Sequence, residues 1–351
     1  MKVVPQDPRL DRVLLHVGRA GEYPGGMAQV INALMPAGSD NFEVDVLQTM
    51  SRSKASTLAA WTRGFLKICT VRRKPAAVVA HLSQGGSFVR EGSILLAARL
   101  RGIPTAAFIH GSRYVDFAKA RPGLVGAVLR RCDAIFVLSE ETRDATAELG
   151  VKREIVLVSN GVVDADVDFD AKQAVVMFGG EVSSRKGVDI LLKAWSMIAR
   201  EGWRLRIAGP VVGMEVETRE GLGVEVLGPI AHEELMEFLQ QSTIAVLPSR
   251  HEAMPMFILE AMARGNAIVS TKVGGIPRVV TEDIGVLVEP GNAIELAQAL
   301  SKVMGDVELR RVMAHRALVR QRSDYSAKSI ATRLDEVMLK HVIHRNSDAH
   351  E

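Results

Sequence analysis

The chain has 351 residues, is 47% hydrophobic, and carries 44 basic against 41 acidic side chains, for a net charge of +3. This length suffices for two domains with full cores, and a charge so close to balance gives no reason to expect a nucleic-acid partner. Two cysteines, Cys69 and Cys132, are too few for a disulfide framework, and no apolar run is long enough to span a bilayer, so a cytoplasmic location is expected.

The amino-terminal half alternates short apolar strands with helices. A strand is predicted at 13–17, and a glycine-rich loop through Gly25 and Gly26 then leads into a helix from Met27. This loop lacks the lysine and the glycine spacing of the common nucleotide-binding loops, so it is either a phosphate loop or only a tight turn. Further strands are predicted at 43–47, 77–81, 105–110, 134–138 and 155–158, with helices near 57–71, 86–101, 121–131 and 140–148. Repeated strand–helix alternation predicts a doubly wound parallel sheet, whose ligands bind at the carboxyl ends of the strands.

Basic residues concentrate in this half of the chain. Residues 1–165 contain 22 basic against 15 acidic side chains. The predicted helix at 57–71 also carries an apolar stripe that is either a core face or a membrane-binding face. We expect an anionic surface as a partner of this region, which would place the protein peripherally on the inner face of the membrane. No Asp or Glu occurs between Val46 and Arg90, where the basic residues are Arg52, Lys54, Arg63, Lys67, Arg72, Arg73, Lys74 and Arg90, and the stripe is Leu58, Trp61, Phe65 and Ile68.

Residues 159–173 have the composition of a linker. They hold few large apolar side chains and many acids, so we predict one domain over 1–165 and a second over 166–325. The acids alternate in the linker as Asp164, Asp166, Asp168 and Asp170. Such a run can bind a divalent cation, but its place in a linker favours a solvated segment, and we expect no metal site.

The second half begins in the same way as the first. A predicted strand at 174–178 is followed by a glycine-bounded loop at 179–187 and a helix at 188–199, which indicates a second Rossmann-like domain. Arg185 and Lys186 stand at the end of this loop, where they either neutralise a phosphate or form a solvated basic pair. The remaining strands are predicted at 205–208, 224–227, 244–247, 268–270 and 285–288, and the closing helices at 293–303, 306–319 and 326–343.

Two carboxylates follow the predicted strand at 244–247. Glu252 lies in the loop after the strand, and Glu260 lies in an otherwise apolar helix at 256–264, with Pro255 at its first position. Acceptor-only side chains beside free helix amides suit a ligand that has hydroxyls and an anionic group, as a sugar nucleotide does. The alternative is that Glu252 supports the helix dipole and Glu260 makes a surface salt bridge.

The spacing of Glu252 and Glu260, together with the flanking segments at 261–270 and 273–277, resembles the Glu-x7-Glu signature of the family 4 retaining glycosyltransferases. The resemblance covers nearly the whole chain and is strongest at 179–290. It implies the α/β fold called GT-B, in which two Rossmann-like doubly wound parallel-sheet domains face a cleft and a last helix, here 326–351, crosses back to the first domain. The implied activity is that of a metal-independent, retaining hexosyltransferase without a cofactor. Its donor would be a nucleotide-diphosphate sugar and its acceptor a saccharide or lipid-linked saccharide, in cell-surface polysaccharide biosynthesis.

The resemblance also implies roles for individual residues. Glu260 would bind the ribose of the donor, while Glu252 and His110 would lie beside the donor sugar. Lys186 and Arg185 would stabilise the leaving diphosphate. From the residues alone, His110 at the end of a predicted strand is either a ligand-facing residue or a structural histidine whose ring caps a loop. Further donor contacts are expected from Gly25, Gly26, Gly180, Arg250, Ala253, Met254, Pro255 and Met256.

Two positions depart from the family pattern. Glu181 stands where the family usually has the arginine of its diphosphate-binding pair, and Arg278 stands where an acid is common. Either Arg185 or Arg250 completes the site, or the use of the donor is altered. A catalytically silent sugar-nucleotide-binding protein is therefore an alternative, and a GT-B sugar-nucleotide epimerase is a second one.

Overall fold

The computed structural model describes residues 13–21, 26–51, 53–111, 113–199, 201–216 and 221–348. The chain divides into two compact units, the first formed by residues 1–161 and 327–351 and the second by residues 162–326. Each unit is built on one six-stranded sheet in which all neighbouring strands are parallel. The predicted pair of Rossmann-like α/β domains is therefore confirmed.

The first sheet has the strand order β2-β1-β3-β4-β5-β6. Its central strands β3, β4 and β5 are buried along their whole length, which explains why they read as continuous apolar runs. The edge strand β2 is only partly buried. The strands are β1 (Val13–Gly18), β2 (Glu43–Gln48), β3 (Ala77–Leu82), β4 (Thr105–Ile109), β5 (Ala134–Val137) and β6 (Glu154–Leu157).

Helices connect these strands and cover the sheet. The last helix, α13, packs against α1 within the same unit. The helices are α1 (Gly26–Ala37), α2 (Lys54–Thr70), α3 (Gly86–Leu100), α4 (Tyr114–Ala120), α5 (Pro122–Leu129), α6 (Glu140–Glu148) and α13 (Ala327–Asp348).

The second sheet has the order β12-β11-β10-β7-β8-β9. The chain runs outward from β7 to β9 and then returns to pair β10 with the other side of β7. The direction of the winding therefore changes between β7 and β10, and ligands of such sheets bind at the carboxyl ends of the strands at this point. The strands are β7 (Gln173–Gly179), β8 (Arg204–Ala208), β9 (Val224–Gly228), β10 (Ser242–Leu247), β11 (Ala267–Thr271) and β12 (Gly285–Val288). The helices are α7 (Val188–Ser196), α8 (His232–Gln241), α9 (Met256–Ala263), α10 (Ile276–Val279), α11 (Ala293–Gly305) and α12 (Val307–Arg320), and a π-helical turn, Gln321–Tyr325, follows α12.

Several local predictions need correction. The helices α4, α8 and α10 were not predicted, because α4 and α10 are short and α8 begins without a side-chain cap. The helix predicted at 188–199 ends at Ser196. Pro255 is the N-cap of α9 rather than its first helical residue.

The apolar stripe on α2 belongs to the core for most of its length. Ile68 is buried, and Trp61 and Phe65 pack against the core beside it. The indole Nε1 of Trp61 donates to Ser93 Oγ at 3.0 Å. Membrane contact through Trp61, Phe65 and Ile68 is therefore the wrong interpretation, and Leu58, which is 60% exposed, is the one member of the stripe that faces solvent.

Candidate functional site

The loops that leave β7, β10 and β11 touch one another at the carboxyl edge of the second sheet. Gly187 ends the first loop with a φ of +74°, and a Cβ there would lie 1.9 Å from the carbonyl oxygen of Pro248 after β10. Gly274, after β11, has a φ of +55°, and its Cβ would lie 1.9 Å from the carbonyl oxygen of Glu252. Only glycine fits these two positions, so Gly187 and Gly274 allow the three loops to approach one another this closely.

Lys186 and Glu252 form an ion pair where the loops after β7 and β10 meet. Lys186 Nζ lies 2.5 Å from Glu252 Oε1, and Ser249 Oγ donates to the same oxygen at 2.7 Å. The two side chains are only 15% and 6% exposed, so the pair is largely shielded from water. A shielded cation and carboxylate side by side offer one group for an anion and one for hydroxyls.

Glu181 is held by its own loop rather than left as an isolated acid. Its Oε1 accepts from Ser183 Oγ at 2.7 Å and lies 3.5 Å from Arg185 Nη2. The Ser183 hydroxyl, helped by the nearby Arg185 guanidinium, holds the pKa of Glu181 below its usual range. Arg185 also reaches the carbonyl oxygen of His251 at 3.5 Å, so it lies beside the loop after β10.

Arg250 has a structural partner in the first turn of α7. Its guanidinium nitrogens donate to both carboxylate oxygens of Asp189 at 2.8 and 2.7 Å, and it also donates to the carbonyl oxygen of Ser184. This two-pronged bond lowers the pKa of Asp189. Because the fork of Arg250 is already engaged, Arg185 is the better placed of the two arginines to meet a diphosphate.

Glu260 is a buried acid in the second turn of α9. Its residue surface is 6% exposed, and burial raises its pKa to about 7 although the charge of Arg264 opposes this shift. His232 at the start of α8 has its Nε2 3.7 Å from Glu260 Oε1, and burial lowers the pKa of this histidine. Near neutral pH Glu260 is thus present in both protonation states and can accept from, or donate to, a ligand hydroxyl.

The loop before α9, which follows Glu252 in the chain, is mostly buried. Ala253, Met254 and Met256 are each less than a tenth exposed. Pro255 makes no side-chain hydrogen bond to the amides of the first helical turn, and Gly275 N donates to the carbonyl oxygen of Ala253 at 2.6 Å. The amino end of α9 therefore lies between the loops after β10 and β11, where a helix terminus favours an anion.

In the first unit, His110 follows β4 as predicted. Its backbone N donates to the carbonyl oxygen of Leu82, and its ring nitrogen Nε2 lies 2.8 Å from His81 Nδ1. The sequence reasoning missed His81 and its neighbour His16, because both are histidines inside buried apolar strands. Their presence at such positions was the available signal, since a buried imidazole needs a polar partner.

The predicted glycines are placed in different ways. Gly180 follows β7 with a φ of +140°. Gly26 is the exposed first residue of α1, whereas Gly25 lies outside the described residues. The prediction that Gly25 and Gly26 contact the donor stays a prediction.

The linker acids have partners in their own segment and in the π-helical turn after α12. Asp164 Oδ1 accepts from Gln321 Nε2 at 3.0 Å, and Asp168 Oδ1 accepts from the backbone N of Asp170 at 3.0 Å. Within the described residues, no three side chains of His, Cys, Asp or Glu come together in a way that could hold a metal ion. At the second departure from the family pattern, the carbonyl oxygen of Arg278 accepts from Arg320 Nη2 at 3.0 Å.

Two protein-family models match the chain. The model described as "Glycosyl transferase 4-like domain" matches residues 13–161, and the model described as "Glycosyl transferases group 1" matches residues 173–306. Each match falls within one of the two structural units.

Known proteins agree with these matches. An alpha-D-kanosaminyltransferase of Streptomyces kanamyceticus is 27% identical over 321 residues, which cover 79% of this chain and 82% of that protein. A glycogen synthase of Mycobacterium tuberculosis is 28% identical over 267 residues, covering 69% of this chain and 64%, less than two thirds, of the synthase. Among solved structures, Anabaena HepE in complex with UDP and glucose has a TM-score of 0.72 at 15% identity, covering 94% of this chain and 100% of HepE. This likeness confirms the predicted GT-B fold.

Proposed function

The chain belongs to the family 4 glycosyltransferases of the GT-B fold. We propose that it transfers a sugar from a nucleotide-diphosphate sugar to a saccharide or lipid-linked saccharide acceptor. The solved complexes of HepE with UDP and with UDP-glucose support a nucleotide-sugar donor. We further propose that the transfer retains the configuration of the anomeric carbon, needs no metal, and serves cell-surface polysaccharide biosynthesis.

The observation on which this proposal rests is the Lys186–Glu252 pair between the loops after β7 and β10. It lies where the winding of the second sheet changes direction, which is where doubly wound sheets bind nucleotides. Lys186 and Arg185 bind the donor diphosphate, and the amino end of α9 adds its amides and the positive end of its dipole. The diphosphate competes with Glu252 for Lys186 and so frees carboxylate oxygens for the hydroxyls of the sugar.

The nucleoside part of the donor binds to Glu260. The carboxylate is buried on a helix that is otherwise apolar, His232 Nε2 lies 3.7 Å from its Oε1, and the charge of Arg264 acts on it. Two ribose hydroxyls donating to an ionised Glu260 would compensate for its burial, because hydrogen bonds to the charged form favour that form. Donor binding is then coupled to loss of a proton from Glu260.

The chemistry of transfer follows from these placements. The bond between the anomeric carbon and the diphosphate oxygen breaks, the acceptor oxygen bonds to the anomeric carbon from the same face, and the acceptor proton passes to the leaving diphosphate. Negative charge builds on the leaving group as its bond breaks, and fixed positive charge stabilises the transition state more than the ground state. Lys186 and Arg185 provide this charge, and His110 binds a sugar hydroxyl.

An exposed basic surface in the first unit favours a lipid-linked acceptor. Leu58 and Leu66 face solvent on α2, at 60% and 53% exposure, and the basic residues Arg63 and Lys67 are exposed beside them. Arg72, Arg73 and Lys74 follow the carboxyl end of this helix and are exposed as well. Isolated apolar side chains among cations match the headgroup region of an anionic membrane. No described helix is long and apolar enough to cross a bilayer.

The contact between Glu181 and Arg185 favours a second candidate, a sugar-nucleotide-binding protein without turnover. At 3.5 Å the acid offsets part of the charge that the leaving diphosphate needs. The binder and the transferase share every contact with the donor, so only the fate of the donor separates them.

The test is to incubate the purified protein with a panel of nucleotide-diphosphate sugars and to measure the release of nucleotide diphosphate. We expect at least one donor to release nucleotide diphosphate, and a saccharide acceptor to increase the release. Proton NMR should show that the glycosidic bond of the product has the same anomeric configuration as the donor. Tight donor binding in a thermal-shift assay, with no nucleotide diphosphate released in the presence of acceptors, would instead identify the silent binder. Inversion of the anomeric centre would contradict the retaining mechanism.

A further inference from the structure

Three histidines lie side by side on the first sheet. His16 is on β1, His81 is on β3, and His110 directly follows β4, so they come from three neighbouring strands. In the strand register His16 is opposite Val79, two residues before His81, and His81 is opposite Phe108, two residues before His110. Side chains two residues apart on a strand share a face. The imidazoles therefore line one face of the sheet and step towards its carboxyl edge.

The three rings form one hydrogen-bonded chain. His16 Nδ1 lies 2.8 Å from His81 Nε2, and His81 Nδ1 lies 2.8 Å from His110 Nε2. The His81 and His110 rings are stacked with their centroids 5.0 Å apart, and the Phe108 ring stacks on His110 with a centroid distance of 4.2 Å. These contacts fix the orientation of the His110 ring. They also leave Nδ1 as the nitrogen of His110 that takes no part in the chain.

All three rings are neutral at physiological pH. Burial lowers the pKa of His16 to about 4 and that of His110 to about 3. Burial also lowers the pKa of His81 well below its usual range, and the two neighbouring histidines lower it further. A neutral imidazole has one N–H donor and one lone pair, and each link of the chain needs one of each. Once the tautomer of one ring is given, all three rings must carry their proton on the same type of nitrogen, either Nε2 or Nδ1.

We infer that His16 and His81 are positioning residues that fix the orientation of the His110 ring and couple its tautomer to their own. The inference rests on the proposed function, in which a sugar hydroxyl meets Nδ1 of His110, the nitrogen outside the chain. A sugar hydroxyl can donate to an unprotonated Nδ1 or accept from Nδ1–H, so the tautomer of His110 decides the direction of this hydrogen bond. Through the chain the three rings change tautomer together, and no charge is placed beside the sugar. His16, two rings away, thereby acts on a bond that it does not touch.

The tautomers can be read directly by NMR. Protein labelled with 15N-histidine gives long-range proton–nitrogen correlations that distinguish protonated from unprotonated ring nitrogens. We expect the three rings to be neutral at pH 7 and to carry the proton on the same type of nitrogen, in the same proportion if both forms are present. In His16→Leu, which leaves His81 Nε2 without its partner, His81 and His110 should both carry the proton on Nδ1, because a buried N–H without an acceptor is unfavourable. Different tautomers at the three rings of the parent protein, or a His110 protonated on Nε2 in His16→Leu, would overturn the inference.

Turnover gives an independent measurement. His16→Leu should reduce kcat/KM by about tenfold, the effect of losing one net hydrogen bond. His16→Asn places an amide near the position of Nδ1 and should restore most of this loss, which a role in packing alone would not explain. His315→Leu is the matched control, because His315 stacks on Phe169 in the second unit, and it should leave turnover unchanged. Equal losses in His16→Leu and His16→Asn would contradict the positioning role.

The two measurements separate this inference from the proposed function. If the parent protein turns over no donor, the proposed function fails, while the NMR result still decides whether the chain couples the three tautomers. If the parent turns over donor and His16→Leu matches it in both measurements, only the inference fails. Should His16→Leu not fold, His16→Gln replaces it, because its amide lies near the position of Nε2 rather than Nδ1 and so should not restore the contact with His81.

Discussion

Lys186 Nζ and Glu252 Oε1 lie 2.5 Å apart although 66 residues separate them in the chain. The pair joins the loop after β7 to the loop after β10, so the ionic contact is also a tie between two loops of the second sheet. Ser249 donates to the same carboxylate oxygen. Removing the lysine leaves a nearly buried carboxylate without its cation, whereas removing the carboxylate leaves the lysine free for an anion. The two substitutions therefore have different consequences.

Lys186→Ala should lower kcat/KM. The loss should correspond to about 3 kcal/mol of transition-state stabilisation, the usual effect of removing a preorganised group that stabilises developing charge. Arg185→Ala should cost at least as much, since Glu181 stands where a second cation is expected. Arg185→Ala is the more informative of the two because Arg185 is only weakly held by Glu181 at 3.5 Å. Steady-state release of nucleotide diphosphate measures both effects. Normal turnover by Arg185→Ala would remove it from the site and direct the same test to Arg250.

Glu260→Gln tests the proposed ribose contact. An amide of the same shape has one neutral acceptor oxygen in place of the two charged oxygens of a carboxylate, so donor affinity should fall while the fold is retained. Isothermal titration with the donor that gives the largest thermal shift measures the change. Glu234→Gln is a suitable control, since Glu234 is an exposed acid on α8. Equal donor affinity in Glu260→Gln and the parent protein would refute the role of Glu260.

The raised pKa of Glu260 also predicts a pH dependence of stability. Burial raises the pKa of its carboxyl to about 7 in the folded protein, from the ordinary glutamate value of 4.5. Between these two values the folded state holds more protons than the unfolded state, so the contribution of Glu260 to stability is fully present below pH 4.5 and is lost as the pH rises to 7. The loss is about 3 kcal/mol at 1.36 kcal/mol per pKa unit. Urea unfolding at pH 5 and pH 8 measures this loss. The free energy of unfolding should fall more between these pH values in the parent than in Glu260→Gln, and an equal fall in both proteins would contradict the prediction.

The strands could be predicted from the sequence, whereas the residues that contact Glu260 and His110 in the fold could not be identified as well, for physical reasons. Buried parallel strands such as β3 and β10 are continuous apolar runs, which local composition reveals. Helix α8 has no side-chain N-cap to mark its start, but Leu235, Phe238 and Leu239 recur at helical spacing and were a signal for it, and its His232 lies beside Glu260. The contact of His16 with His81 could not be read from local sequence, since they meet across 65 residues through strand order and register.

Catalysis without a metal remains a prediction that chelation tests. In the proposed mechanism, Lys186, Arg185 and the helix amides would provide the positive charge that a divalent cation would otherwise supply. Turnover measured after dialysis against EDTA should equal that of the untreated enzyme. Loss of turnover that manganese restores would return the linker acids Asp164 and Asp168 to consideration as ligands.

The final prediction concerns the basic surface of the first unit. Arg72, Arg73 and Lys74 are exposed at the carboxyl end of α2, close in sequence to the exposed Leu66. Each basic residue near an anionic membrane contributes about 1 kcal/mol, and salt screens the attraction. Reversing all three charges to glutamate should therefore release the protein from vesicles that contain phosphatidylserine, and most clearly at low ionic strength. Donor hydrolysis should be unaffected, because these residues lie outside the proposed donor site in the second unit.

The matched control reverses three other exposed cations of the same unit, Lys119, Lys152 and Arg153, and so changes the net charge by the same amount at other positions. Sedimentation with vesicles, at low and at high salt, compares the parent with both triple variants. If the surface after α2 binds the membrane, only the Arg72, Arg73 and Lys74 variant loses binding, whereas a general charge effect would reduce binding by both variants equally. Equal binding by the parent and by both variants would instead indicate an acceptor in solution. In that case the two exposed leucines of α2 would have no part in acceptor recognition, and Leu58→Ser with Leu66→Ser should leave turnover with a soluble saccharide unchanged.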